Sequence, residues 1–268
     1  MTHRPLFFLT NDDGIQSPGL RAAARAVHEL GEVLVVAPAT QQTAMGRSFT
    51  GRPDAGLEPV PFEVDGHALR AYACEGSPAS VVRHGLSVLC RDRRPDLLVS
   101  GINYGENVGI SIGASGTVGA AMEAASRGIP ALAASQQMHP DHFMRHEAQD
   151  WRASEHFLRL FARKLLAVRL PHDVDLVKLD VPEDATPATP WRLSRLSRQR
   201  YFEMVLDAPG PDSRLRDGRI TVQVDPAALE PDSDVHALVR ERVVAVTPLS
   251  LDATSRADFG VIREALGD

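Results

Sequence analysis

The chain has 268 residues, of which 43% are hydrophobic and 24% charged, and a formal net charge of −6. That length suits one large α/β domain or one domain with an appendage, and the composition excludes a disordered, collagen-like or low-complexity chain. The acidic balance speaks against binding nucleic-acid duplexes, which needs a clustered excess of Lys and Arg. The only two cysteines, Cys74 and Cys90, supply neither a disulfide framework nor a zinc motif.

No apolar run approaches the roughly 18 residues that span a bilayer. The apolar start at 6–9 runs straight into Thr10, Asn11 and Asp12, too short for a secretory leader. The expectation is a cytoplasmic protein without membrane contact.

Residues 5–10 form an apolar run ended by Asn11, Asp12, Asp13 and Gly14, which reads as a buried strand emptying into a polar loop. Ser17 and Pro18 then start a helix whose apolar positions recur through Leu20, Ala23, Ala24, Val27 and Leu30 until Gly31. A second buried strand at 33–37 completes a βαβ unit, so the sheet is expected to be parallel with a right-handed crossover. Residues 39–61 are a long Gly/Pro/Ser/Thr-rich excursion of the kind that carries function.

Short strands are expected at 62–64 and 69–73, a helix from Ser77 and Pro78 to about Leu89, and a strand at 96–100. A helix at 117–127, a strand at 129–134, a long amphipathic helix at 151–168 and a buried strand at 176–181 follow. The alternation predicts a doubly wound, mostly parallel α/β sheet over residues 1–182. Beyond Pro182 the pattern changes to shorter alternating strands at 191–196, 201–206, 220–224 and 243–246. Residues 183–268 therefore read as a C-terminal β-rich region with antiparallel hairpins and a terminal helix, packed on the same core and used in oligomerisation.

In open parallel sheets, ligands bind where loops converge outside the carboxyl ends of the strands. Three polar clusters fall there. Asp12 and Asp13 follow the first strand, where two carboxylates can supply hard oxygen ligands to a divalent cation, although acids in a turn are often simply solvated. The segment SGINYGENVG follows another strand; Asn103 and Asn107 offer amide oxygens, and its glycines permit positive φ near a ligand. In GASGTVGAAMEA, residues Gly113, Ser115, Gly116 and Thr117 precede a small-residue helix, a start suited to a phosphate through free amides, the helix dipole and two hydroxyls. The lysine of a nucleoside-triphosphatase loop is missing from it.

Two other groups have simpler readings. His139, His142 and His146, with Asp141 among them, could converge on a transition metal, but Pro140 and the local polarity favour a solvated loop. Cys74 and Cys90 read as buried thiols.

Taken in order, LTNDDGI, APATQQTAMGRS, SGINYGENVG and SGTVGAAMEA resemble the SurE family of metal-dependent nucleotidases. The resemblance extends to VKLDVP and to SDVHALVRERVVAVTPLSLD, and so spans most of the chain. It implies a Rossmann-like fold and one divalent metal ion per subunit, held by Asp12, Asp13, Thr43 and Asn103. It also implies a homodimer or homotetramer built with the C-terminal hairpins. Thr43 stands where the family usually has Ser, Ala114 where it commonly has Tyr, and Asp180 where it usually has Asn.

The reaction expected is hydrolysis of nucleoside 5′-monophosphates, with 3′-monophosphates as a second substrate class, to nucleoside and phosphate. All-oxygen donors suit Mg²⁺ or Mn²⁺, which would polarise a phosphoryl oxygen and lower the pKa of a water. Gly113, Ser115, Gly116 and Thr117 would hold the phosphate. Asp12 would orient or deprotonate the water, with Asp13 beside it and Asn11 and Asn107 as supporting donors. Haloacid-dehalogenase-like chemistry needs Asp-x-Asp, which adjacent Asp12 and Asp13 do not provide. The alternative is a catalytically silent nucleotide-binding stress-response module, motivated by Thr43 and Ala114.

Overall fold

The computed structural model describes residues 4–139 and 148–267. Strand β1 (Leu6–Thr10) is buried along its whole length. Phe7 and Leu9 enter one hydrophobic layer and Phe8 the other, as period-two side chains must on a strand covered on both faces. Helix α1 (Pro18–Val27) starts with Pro18 in its first turn, but the Ser17 hydroxyl makes no capping bond. Strand β2 (Glu32–Pro38) lies parallel to β1.

The excursion after β2 contains an unexpected short strand, β3 (Glu58–Pro59), antiparallel to β6 (Arg70–Cys74) at the sheet edge, where a proline is tolerated. Between them β4 (Glu63–Val64) and β5 (His67–Ala68) form a small hairpin. Helix α2 (Pro78–Leu89) follows. Strand β7 (Leu97–Tyr104) runs beyond the expected end at Ser100, with a register shift between Ser100 and Asn103 against β8 (Ala131–Gln136). Asn103 is thus carried at the end of a strand, not in a free loop.

Helix α3 (Gly116–Ala125) precedes β8, and α4 (Arg152–Ala167) precedes β9 (Leu176–Val181). Phe157, Leu158, Phe161, Ala162 and Leu165 of α4 are buried; at about 1.5–3 kcal/mol for each large apolar side chain, that stripe outweighs any difference in local helix propensity. Helices α1 and α4 cover one face of the sheet, and α2 and α3 cover the other.

The C-terminal region holds β10 (Trp191–Leu193), β11 (Phe202–Val205), β12 (Arg219–Val222), the single turn α5 (Asp234–His236), β13 (Val244–Leu249) and α6 (Phe259–Leu266). Of the strands read as an antiparallel appendage, only β11 and β12 form a separate hairpin. Strand β13 joins the central sheet antiparallel to β9, and β10 lies parallel to β13. Burial explains the division: Val244, Ala245 and Val246 are enclosed, whereas Met204, Ile220 and Val222 of the hairpin are exposed.

The result is a nine-stranded sheet in the order β10-β13-β9-β8-β7-β1-β2-β6-β3, with parallel pairing throughout β9-β8-β7-β1-β2-β6. The chain builds outward from β1 in one direction and resumes at β7 on its other side, so the switch in strand order lies between β1 and β7. No described helix is long and apolar enough to cross a membrane.

Candidate active site

Thr10 and Ser100 are register partners across β1 and β7, so the segments after them emerge side by side at the switch point, where open α/β sheets bind ligands. Gly101, at φ 123°, is required there, because a Cβ would come within 2.2 Å of the Ala134 carbonyl oxygen.

Asp12 and Asp13 are both buried. The Thr117 hydroxyl donates to Asp12 Oδ1 and also lies 3.1 Å from Asn103 Oδ1. Asn103 Nδ2 donates to the Gly105 carbonyl at 2.7 Å, which turns the amide oxygen toward Thr117. Asp13 accepts from the Tyr104 N–H at 3.2 Å and from Gln41 Nε2 at 3.3 Å.

Burial pushes the Asp12 carboxyl above the usual range, opposed by hydrogen bonds from the Thr117 side chain and from the backbone of Thr117 and Gly116. Burial raises Asp13 still more clearly, with the neighbouring Asp12 charge adding to it. Among the described residues, neither carboxylate has an ion pair with Lys or Arg.

These facts fit a divalent cation. One Thr117 proton serves two acceptor oxygens, and two adjacent buried carboxylates lack a counter-charge. Among the described residues, no three His, Cys, Asp or Glu side chains converge, so the other donors would be neutral oxygens such as Asn103 Oδ1, the preference of a hard cation.

The loop after β2 reaches the same place. The Gln42 N–H donates to the Asp12 carbonyl at 2.7 Å, and the Gly46 N–H to the Ala114 carbonyl at 2.9 Å. Arg47 pairs at 2.9 Å with the buried Glu123 of α3. The Ser77 hydroxyl donates to the Ser48 carbonyl at 2.5 Å and accepts from the Thr50 N–H at 3.2 Å, so it fastens this loop instead of capping α2. Thr43 is exposed on the loop, between Gln42 and the left-handed Ala44.

At the start of α3, Ser115 accepts from the Val118 N–H at 3.1 Å as the helix cap, which leaves its hydroxyl proton for a ligand. Gly116 packs on Asp12: a Cβ there would come within 2.7 Å of Oδ2 and 2.8 Å of Cβ. Gly113 is exposed beside Ala114.

Asn11 donates to the Gly14 carbonyl at 3.0 Å, and its buried Oδ1 has no partner among the described residues. Asn107 Nδ2 donates to Ser135 Oγ at 2.8 Å, and the Asn107 N–H to Asp180 Oδ1 at 2.8 Å.

Of the histidine group, His139 is exposed, while His142, His146 and Asp141 lie outside the described residues. Cys74 and Cys90 are free buried thiols, and burial raises both above the usual thiol range. Sequence reasoning missed Gln41, the Tyr104 amide and the partners of Asp180; Lys178 and Asp180 two positions apart within a buried strand were the available signal for the last.

The family model for survival protein SurE matches residues 7–203. A protein of Methanocella arvoryzae named 5′-nucleotidase SurE is 41% identical over 263 residues, covering 95% of this chain and 94% of its own. One of Thermococcus gammatolerans with the same name is 41% identical, covering 96% and 94%. The crystal structure of the SurE protein from Aquifex aeolicus superposes with a TM-score of 0.75 at 28% identity, covering 98% of this chain and all of that one. On fold, motif order and full-length similarity, the chain belongs to the SurE family.

Proposed function

We propose that this protein is a metal-dependent 5′-nucleotidase that hydrolyses nucleoside 5′-monophosphates, with 3′-monophosphates as second substrates, to nucleoside and phosphate. The observation that carries this reading is the convergence of Asp12 Oδ1, Thr117 Oγ1 and Asn103 Oδ1 at the switch point, with Asp13 adjacent. Relatives named 5′-nucleotidase SurE over nearly the full length support it.

Asp12, Asp13 and Asn103 would hold one divalent ion per subunit, Mg²⁺ or Mn²⁺ by donor chemistry, with the Thr43 hydroxyl as the ligand that the family resemblance adds. When bound, the ion supplies positive charge to polarise a phosphoryl oxygen and to acidify a water.

The chain's own groups do the rest. The Ser115 hydroxyl and the positive N-terminal end of α3, with Gly113, Gly116 and Thr117 around it, orient the phosphate and stabilise its developing charge. Asp12 accepts a proton from the attacking water as the phosphorus–oxygen bond to the nucleoside breaks, and the departing nucleoside oxygen takes up a proton to leave as the hydroxyl. Asn107 and Asn11 serve as supporting donors to the reacting groups.

The test is phosphate release from nucleoside 5′- and 3′-monophosphates by wild-type protein and Asp12→Asn. Turnover abolished in a folded variant supports the assignment, and near-full activity overturns it. Nucleotide binding without release at any divalent ion points instead to a silent binding module.

The exposed Met204, Ile220 and Val222 of the β11–β12 hairpin, with exposed Phe259, Val261 and Leu266 of α6, support a homodimer or homotetramer. Light scattering of purified protein would show a multiple of the chain mass, and a monomer at all concentrations would contradict it.

A further inference from the structure

Lys178 is one of two lysines in a chain whose other cationic side chains, of 29 in all, are arginines. It is completely buried, as are Asp180 and Asp234. Positions 178 and 180 share one face of β9, and Lys178 Nζ donates to Asp180 Oδ2 and, at 3.2 Å, to Asp234 Oδ2. A compact ammonium can sit between two carboxylates in this space, whereas arginine's planar fork demands a wider, bidentate geometry.

Each carboxylate also accepts a backbone N–H from the segment that follows β7 at the candidate site. Asp180 Oδ1 accepts the Asn107 N–H at 2.8 Å, and Asp234 Oδ2 accepts the Gly109 N–H at 3.0 Å. Asp234 Oδ1 also takes the N–H groups of Ser197 at 3.0 Å and Val235 at 2.9 Å. Val108, between the two gripped amides, is buried in a cluster with Tyr201, Leu229, Val235 and Leu238. The Asn107 side chain is anchored on Ser135, the residue of β8 paired in register with Asp180. Three charges, two of one sign, are thereby taken out of water, and their bonds tie Asn107 and Gly109 to β9 and to the backbone at Ser197 and Val235.

Such a cluster is a poor source of stability, because an apolar trio of similar volume commonly does as well or better. Its bonds instead fix where Asn107 stands. We propose that Lys178, Asp180 and Asp234 form a buried clamp that positions Asn107 for phosphate ester hydrolysis, making Asp180 and Lys178 positioning residues that act on kcat without touching substrate. The clamp rests on the reading of Asn107 as part of the site.

The experiment compares wild type, Asn107→Ala, Asp180→Ala, Asp180→Asn and the Asn107→Ala/Asp180→Ala double variant. Phosphate release from a nucleoside 5′-monophosphate is measured at saturating metal, with thermal melts to confirm folding. Misplacement of a site group by about 1 Å costs about 100-fold, so Asn107→Ala and Asp180→Ala are each expected to lower kcat about 10–100-fold with KM within about threefold. The double variant is expected to be no worse than Asn107→Ala alone, since both lesions act through one group. Asp180→Asn, whose amide oxygen can still accept the Asn107 N–H, restores most of the lost kcat.

A double variant whose losses multiply overturns positioning, as does Asp180→Ala at wild-type kcat beside an impaired Asn107→Ala. An unimpaired Asn107→Ala overturns the assignment of Asn107 itself. Should Asp180→Ala not fold, hydrogen exchange decides: the Asn107 and Gly109 amides of wild type are expected to be protected like the central strands, and exchange as fast as exposed loop amides overturns the clamp.

Discussion

The Thr117 hydroxyl donates to Asp12, 105 positions earlier in the chain, while standing 3.1 Å from Asn103 Oδ1. It thereby joins the first turn of α3 to the ends of β1 and β7, and it has one proton for two acceptors. Thr117→Val keeps the shape and removes the hydroxyl. Loss of one such group typically costs about 10²–10³ in kcat, and a fall of that size in phosphate release is expected, with Thr117→Ser recovering most of it. Wild-type turnover in Thr117→Val would remove Thr117 from the site.

Gly116 packs directly on Asp12, and an added Cβ would stand 2.7 Å from Oδ2. Asp12 must shift to admit it. Gly116→Ala is expected to lower kcat by at least about 10-fold, with overpacking costing about 1–3 kcal/mol of stability. Kinetics and urea denaturation check both, and a fully active Gly116→Ala would show that Asp12 has room to spare.

Burial and the Asp12 charge both disfavour an ionised Asp13, so without metal the carboxylate pair costs stability. Asp13→Asn keeps an acceptor for the Tyr104 N–H and removes that repulsion. In excess chelator it is expected to melt above wild type by roughly 2–4 °C, equivalent to about 1 kcal/mol, while being inactive. A lower melting temperature than wild type in chelator would contradict the repulsion.

Burial raises Asp180 from 3.8 to about 6 despite Lys178, with the Asp234 charge pushing the same way, and Glu106 is a further carboxyl within reach of its charge. A carboxyl raised on folding contributes stability below its unfolded value, lost as pH rises through its folded value. At about 1.4 kcal/mol per unit, Asp180 accounts for a loss of the order of 2–3 kcal/mol between about pH 4 and about pH 7. Urea midpoints for wild type minus Asp180→Asn are expected to fall over that range; an unchanged difference would show that Asp180 does not titrate there.

Much of the placement of the candidate site was legible in the sequence. Asp12, Asp13 and Asn103 could be placed because apolar runs ending in polar loops mark the carboxyl ends of buried strands, and Pro18 and Pro78 marked helix starts. The extension of β7 to Tyr104 was not legible, since glycines in SGINY have the composition of a loop while pairing with β8 carries the strand onward. Nor was the place of β13, whose short apolar run fits a hairpin or a buried sheet equally well until β9 is available to pair with it. Asp180 stood out only as a departure from the family pattern, because its partners Lys178, Asp234 and the Asn107 amide meet only through the sheet and the C-terminal turn.

The most direct test of the metal site is phosphate release from nucleoside 5′-monophosphates by chelator-treated protein, with Mg²⁺, Mn²⁺ or no metal restored, beside Asp13→Ala. Release that vanishes on chelation, returns with a divalent ion and stays absent in folded Asp13→Ala is the expected result. Release that survives chelation, or persists undiminished in Asp13→Ala, would contradict a catalytic cation held by the Asp12–Asp13 pair.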